Sequence, residues 1–148
     1  LNLFKRGNKR AIKFPQDTSL GRLYYLDKGS YIFYAPAQGI VLVPAALPLQ
    51  LRVTAEVGSL APLLQLQSAD LNGISLSHTE RNDYDLQFLS SLTGLRALHF
   101  DYTRVTGTGL AGLELNPDFL SARQSLFSDS GVAYLSKMPG LKVLNLSF

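Results

Sequence analysis

The sequence predicts a mixed α/β protein: short parallel strands stacked through repeated strand–helix units, with an antiparallel β module packed as a cap on their N-terminal side. Two patterns carry that expectation. From Leu71 onward apolar positions recur at a spacing of 24 residues, and before that point β-rich segments alternate with turn residues. Charge adds a third division. The chain is therefore expected to comprise a basic arm (residues 1–13), a β module (14–58) and repeats (59–148), the last in about three to four units with the final one truncated.

Lys5, Arg6, Lys9, Arg10 and Lys13 place five positive charges before residue 14 with no acidic residue among them, whereas residues 14–148 carry 9 basic and 11 acidic groups. The pI of 9.3 is thus a property of the arm, and a slightly acidic body argues against a nucleic-acid-binding face. The arm reads as solvated; Leu1-Asn-Leu-Phe4 followed by Lys5-Arg-Gly-Asn-Lys-Arg10 also has the pattern of a stop-transfer flank. No secretory signal is visible in Ala11–Leu20. The most apolar run, Ile40–Leu51, is too short for a bilayer and is interrupted by Pro44 and Pro48, so no membrane span is expected and the compartment stays open. Absence of cysteine excludes disulfides, thiolate metal sites and a cysteine nucleophile.

In the β module, strands are expected at Ala11–Phe14, Arg22–Leu26, Tyr31–Ala35, Gly39–Val43 and Gln50–Thr54, where β-branched and aromatic residues concentrate between Gly, Pro, Asp and Ser. Tyr24, Tyr25, Tyr31, Phe33 and Tyr34 fall within eleven positions. Strand alternation places alternate members in the core and makes the others cross-strand neighbours, in preference to a stacking platform for sugars or bases.

The repeat is read from Leu71, Ile74, Leu76 and Thr79, which return as Leu95, Leu98, Phe100 and Thr103; Leu86 and Leu110 hold the same spacing. Alternation turns Leu98 and Phe100 inward and Ala97, His99 and Asp101 outward. The threonine hydroxyl ends the strand by satisfying a turning backbone. Val105-Thr-Gly-Thr-Gly and Phe127-Ser-Asp-Ser-Gly then turn the chain into helices, with Ser128 or Thr106 as caps and Leu86, Leu89 and Leu92 at helical spacing. The interval from Leu110 to Val132 is 22 residues, so Glu114–Asp118, with Pro117, is expected to be an irregular link. Arg81 stands where later copies have Val105 and Phe127.

Thr103-Arg-Val-Thr-Gly-Thr-Gly-Leu110, Ser130-Gly-Val-Ala-Tyr-Leu135 and Gly140-Leu-Lys-Val-Leu-Asn-Leu-Ser147 resemble the units of bacterial leucine-rich-repeat proteins, over about residues 60–148. Phe14-Pro-Gln-Asp-Thr-Ser-Leu-Gly21 and Gly39-Ile-Val-Leu-Val-Pro44 look like the β segment that precedes such repeats. The resemblance implies a short leucine-rich-repeat solenoid binding a partner on its concave strand face.

In this register the partner-binding face comprises His78, Ala97, His99, Asp101, Tyr102, Ser121, Arg123 and Asn145. Asp101 and Arg123, on neighbouring strands, are expected to form an exposed ion pair worth at most about 1 kcal/mol, so that replacing either leaves the melting temperature almost unchanged. His99, Asp101 and Ser121 are the residue types of a nucleophilic triad, but a flat sheet face offers no oxyanion hole. His78 and His99 lack a third metal ligand. No phosphate-binding glycine loop, nucleophile elbow or zinc-protease motif occurs. The expected function is therefore non-enzymatic protein–protein interaction, without metal, cofactor or small-molecule substrate. The alternative is head-to-tail self-assembly through an open strand edge formed by Leu144, Leu146 and Phe148.

Overall fold

Among the described residues, 7–148 of the computed structural model, nine strands form two sheets. β1 (Lys9–Lys13) pairs antiparallel with β4 (Ile40–Pro44) in a two-stranded sheet. The second sheet has seven strands. Its antiparallel part is β3 (Ser30–Pro36), β2 (Arg22–Asp27) and β5 (Gln50–Arg52); β6 (Gly73–Ser75), β7 (Ala97–His99), β8 (Phe119–Ser121) and β9 (Val143–Asn145) then add in parallel beside β5. The protein is mixed α/β with a mostly parallel main sheet. Parallel pairing begins at β5, one strand before the repeat is legible in the sequence.

Lys28 (φ 49°) and Gly29 (φ 82°) close the β2–β3 hairpin. Positive φ at both central residues matches the right-handed twist of the flanking strands. Residues 1–6 of the expected basic arm lie outside the described residues, and Lys9–Lys13 are not a solvated arm. Ile12 is fully buried, and Arg10 donates to the carbonyls of Leu47 (2.9 Å) and Asp70 (3.0 Å). A guanidinium held by carbonyls of two distant segments ties β1 onto the body rather than offering charge to a ligand.

Three of the parallel strands, β6, β7 and β8, end in one local device. The hydroxyls of Thr103 and Ser125 donate to the carbonyls three residues back, Phe100 and Ala122, both at 2.7 Å, and accept from the amides of Val105 and Phe127 at 3.3 and 3.2 Å. Thr79 makes the same pair of bonds, to Leu76 and Arg81. Just before each hydroxyl residue the backbone is left-handed, at His78 (φ 61°), Tyr102 (φ 54°) and Gln124 (φ 51°). The hydroxyl supplies both partners that a sharply turning backbone lacks, which fixes where the strand stops.

Opposite the strands, the expected helices are mostly 3-10 turns: Ala61–Gln65, Asp83–Leu89 and Thr108–Leu110. One α-helix, α1 (Asp129–Leu135), completes the series, with Ser128 as its N-cap. Strands stack ~4.8 Å apart, whereas α-helices need ~10 Å. A narrower 3-10 turn, rising ~2.0 Å per residue, bridges the same span with fewer residues and lets successive units approach more closely. Ile74, Leu98 and Leu120 are fully buried between the two layers. Arg81 keeps its guanidinium at the edge, bonded to the carbonyls of Val57 and Gly58 and to Asp85 at 3.2 Å.

Candidate functional site

Parallel register aligns side chains into rows across the open face of the main sheet. Gln50, Gly73, Ala97, Phe119 and Val143 form one row; Arg52, Ser75, His99, Ser121 and Asn145 form the next. His78 and Tyr102 follow at the left-handed turns, exposed and stacked with ring centroids 4.7 Å apart and planes 16° from parallel. Tyr102 is 52% exposed, and Asn145 is exposed at the β9 edge. The sheet thus gathers the expected face residues onto one side.

Asp101 is the correction. It is 7% exposed, and its carboxylate accepts from Ser121 Oγ (2.6 Å), the Arg123 amide (2.7 Å) and Arg123 Nη2 (3.0 Å). Ser121 is 2% exposed, so the serine and aspartate are interior, and only the Arg123 guanidinium reaches solvent. Burial would raise the Asp101 pKa, yet the bonds from Ser121 and Arg123 together hold it below the ordinary carboxylate value. The seryl hydroxyl is committed to the aspartate rather than to His99. These residues join β7 to β8; they are not a freely exposed ion pair.

His99 occupies the middle of the face. Its ring lies 4.9 Å from that of Phe119 and its Nε2 is buried without a hydrogen-bond partner. Burial lowers its pKa, more strongly than Asp101 raises it, and Arg52 lowers it further, which favours the neutral imidazole. Ala97 forms half-buried floor beside it.

A wall that sequence reasoning did not anticipate stands over this floor. The tip of the β2–β3 hairpin carries Leu26 and Tyr31 across the face, where they line the same cleft as Ala97, His99 and Phe119, of ≈ 500 Å³. On the other side of Tyr31 a second cleft of ≈ 370 Å³ is lined by Gln50, Arg52, Ser75, His78 and His99. The Arg52 guanidinium lies 4.3 Å from the Tyr24 ring centroid and 5.1 Å from that of Tyr31. The five clustered aromatics alternate as expected, Tyr25 and Tyr34 packing against the core and Tyr24, Tyr31 and Phe33 lying on the other face, but none is fully buried. The signal for this was the strict pairing Tyr24–Phe33 and Leu26–Tyr31, which puts four large side chains on the face that continues into Gln50 and Arg52.

The expected assembly edge lies on β9 and the residues that follow it. Leu144, in the position of the buried Ile74, Leu98 and Leu120, is 41% exposed; Leu146 is half-buried and Phe148 is 75% exposed. Among the described residues no cluster of His, Asp and Glu could hold a metal ion, and no helix is long and apolar enough to cross a membrane.

Fold and face together define a mixed α/β chain whose mostly parallel sheet presents one open side partly roofed by a hairpin. Comparison with protein-family models, with curated proteins and with solved structures gives no match.

Proposed function

We propose that this chain is a non-enzymatic interaction module, a short leucine-rich-repeat solenoid that grips another protein on its concave strand face. The single observation that carries the reading is the in-register row of five parallel strands, with the stacked His78–Tyr102 pair at the turns that follow β6 and β7. Stacked short units turn two residues per strand toward the same space, so a broad surface is set by a few rigid positions. Exposed aromatic rings on such a scaffold contribute binding area at small entropic cost.

The test places a photo-crosslinking residue, p-benzoylphenylalanine, at Tyr102 and, as control, at Tyr84, which is 69% exposed in a 3-10 turn away from the strands. Crosslinks to a heterologous protein from position 102 and not from 84 are the expected result. Equal yields from both positions would remove the face from the proposal.

A second reading rests on the β9 edge. Exposure of Leu144 and Phe148 supports head-to-tail self-assembly, in which the edge takes a strand from another copy. Light scattering over a concentration series decides this one. Growth of mass with concentration, abolished by Leu144→Glu, supports assembly; a constant monomer mass rules it out.

A further inference from the structure

Arg52 and Gln50 sit two residues apart on one face of β5, separated by about 7 Å along the strand. Gln50 is 7% exposed and its Oε1 has no hydrogen-bond partner, a costly condition for a buried amide. Arg52 takes part in none of the ion pairs among the described residues. Its guanidinium carbon instead lies over the Tyr24 and Tyr31 rings, which restrains where the fork of the guanidinium can point. No aspartate or glutamate lines the cleft they share. A cation outside any ion pair and an unpaired buried acceptor, about 7 Å apart on one strand face, are complementary to a segment that brings a carboxylate and an N–H donor at that separation.

We propose that the cleft beneath Tyr31 is a subsite for an extended polypeptide segment of the partner, whose acidic side chain pairs with Arg52 while a backbone N–H donates to Gln50 Oε1. The inference rests on the interaction-face reading and narrows it to one partner chemistry. Two further observations bear on what lies beside the acidic residue. The cleft volume, ≈ 370 Å³, lies at the small end of the range of about 300–1,000 Å³ for ligand sites, so it takes little more than one side chain and its backbone. His99 lines both this cleft and the one beyond Tyr31, where Leu26 and Phe119 are apolar. A segment leaving Arg52 under the hairpin therefore meets Leu26, Ala97 and Phe119 next, with Asn72 and the Arg96–Asp118 pair lining the same cleft. The motif is an acidic residue with an apolar one close beside it in the chain.

The experiment pans a library of random linear dodecapeptides, displayed on phage, against the full chain, and measures the selected peptides by fluorescence polarisation. Selected sequences are expected to share an Asp or Glu beside an apolar position. Arg52→Gln should weaken them roughly tenfold, amidation of the peptide's acid should weaken them by as much, and the two losses should not add. Arg52→Lys keeps the charge without the fork; an intermediate loss is expected, which covers the case in which Arg52→Gln fails to fold. Gln50→Met gives a second readout: a higher melting temperature for the free chain, since an orphaned amide is removed, together with weaker peptide binding.

Selected peptides without an acid, affinity indifferent to both Arg52 variants, or no enrichment at all would overturn the subsite. So would N-acetylglutamate binding as tightly as the peptides, which would make it a site for a small carboxylate. Peptides indifferent to Arg52 but lost with Tyr102→Ala would overturn the subsite alone and leave the interaction face standing. Peptides indifferent to all three positions would count against both.

Discussion

Between β7 and β8 the backbone ladder is reinforced by a buried carboxylate; between β8 and β9 it stands almost alone. At the first joint Asp101 accepts from Ser121 and Arg123 on the next strand, and Leu98 and Leu120 are fully buried. One joint earlier, on the turn side, Asp83 accepts from the amides of Thr106, Gly107 and Gly109 at 2.8–2.9 Å. At the last joint Asn116 Oδ1 accepts a single amide, that of Gly140, and Leu144 is 41% exposed. Identical strand pairing therefore does not give equal cohesion. What distinguishes the joints is how many buried polar groups each closes and how much apolar surface each covers.

The largest expected effect breaks the comparison at its apolar layer. Leu120→Ala should cost about 3 kcal/mol, from lost burial and the cavity left between layers, whereas Leu144→Ala, at the equivalent position, should cost under about 1 kcal/mol. Urea unfolding of both variants checks the ratio. Equal losses would mean that something covers Leu144 in solution.

The next effect is asymmetric within one pair. Asp101→Ala strands the buried Ser121 hydroxyl and the Arg123 amide, and should cost about 2–3 kcal/mol. Arg123→Ala keeps that amide and removes a side chain that is 55% exposed, for a loss below about 1 kcal/mol. Thermal melts of the two variants, differing by several degrees, would separate a joint from a surface ion pair.

That pair also marks where the sequence stops being legible. The spacing of Leu71, Leu95 and Leu98 locates β6 and β7, and Phe119–Ser121 keeps its register despite the 22-residue interval, because the shortening falls in the irregular link around Pro117. Alternation also predicts that Asp101 faces outward, and it does leave the apolar core. It is buried nonetheless, because the left-handed turn at Tyr102 brings the next strand's Ser121 and Arg123 around it. Alternation records a side and not a depth. Nor does it record that a hairpin tip 70 residues earlier in the chain reaches over His99, as Tyr31 does, a long-range consequence of sheet twist. Helical spacing at Leu86 and Leu89 was legible, but i, i+3 contacts are common to α and 3-10 geometry, and the short strand spacing selects the tighter form.

Acid should sharpen the comparison from the carboxylate side. Burial alone would raise Asp83, but the bonds from Gly109, Thr106 and Gly107 lower its pKa, and Asp101 is lowered likewise. A depressed folded pKa gives stability that is complete above the unfolded value, about 3.9 for aspartate, and is lost as pH falls through the folded value. Melting temperature should therefore hold from pH 7 to about 5 and fall below about 4. Asp83→Asn and Asp101→Asn should each flatten that fall.

The smallest effect is expected at the last joint itself. Gly94 and Gly140 occupy equivalent places, each just before the leucine that opens a strand segment. A Cβ on Gly94 would lie 2.4 Å from the carbonyl oxygen of Ser68, a backbone atom that cannot yield without moving its unit. On Gly140 the nearest atom is Asn116 Oδ1 at 2.9 Å, the end of an exposed side chain that can rotate away, losing one hydrogen bond to a solvent-accessible amide. Gly140→Ala should therefore cost about 0.5 kcal/mol and Gly94→Ala several times more. Hydrogen exchange localises the consequence: in Gly140→Ala the amides of Lys142 and Val143, both bonded to the Asp118 carbonyl, should exchange faster while those of Arg96 and Ala97 keep their protection. Loss of protection spreading into β7 would show that the last joint shares the cohesion of the interior after all.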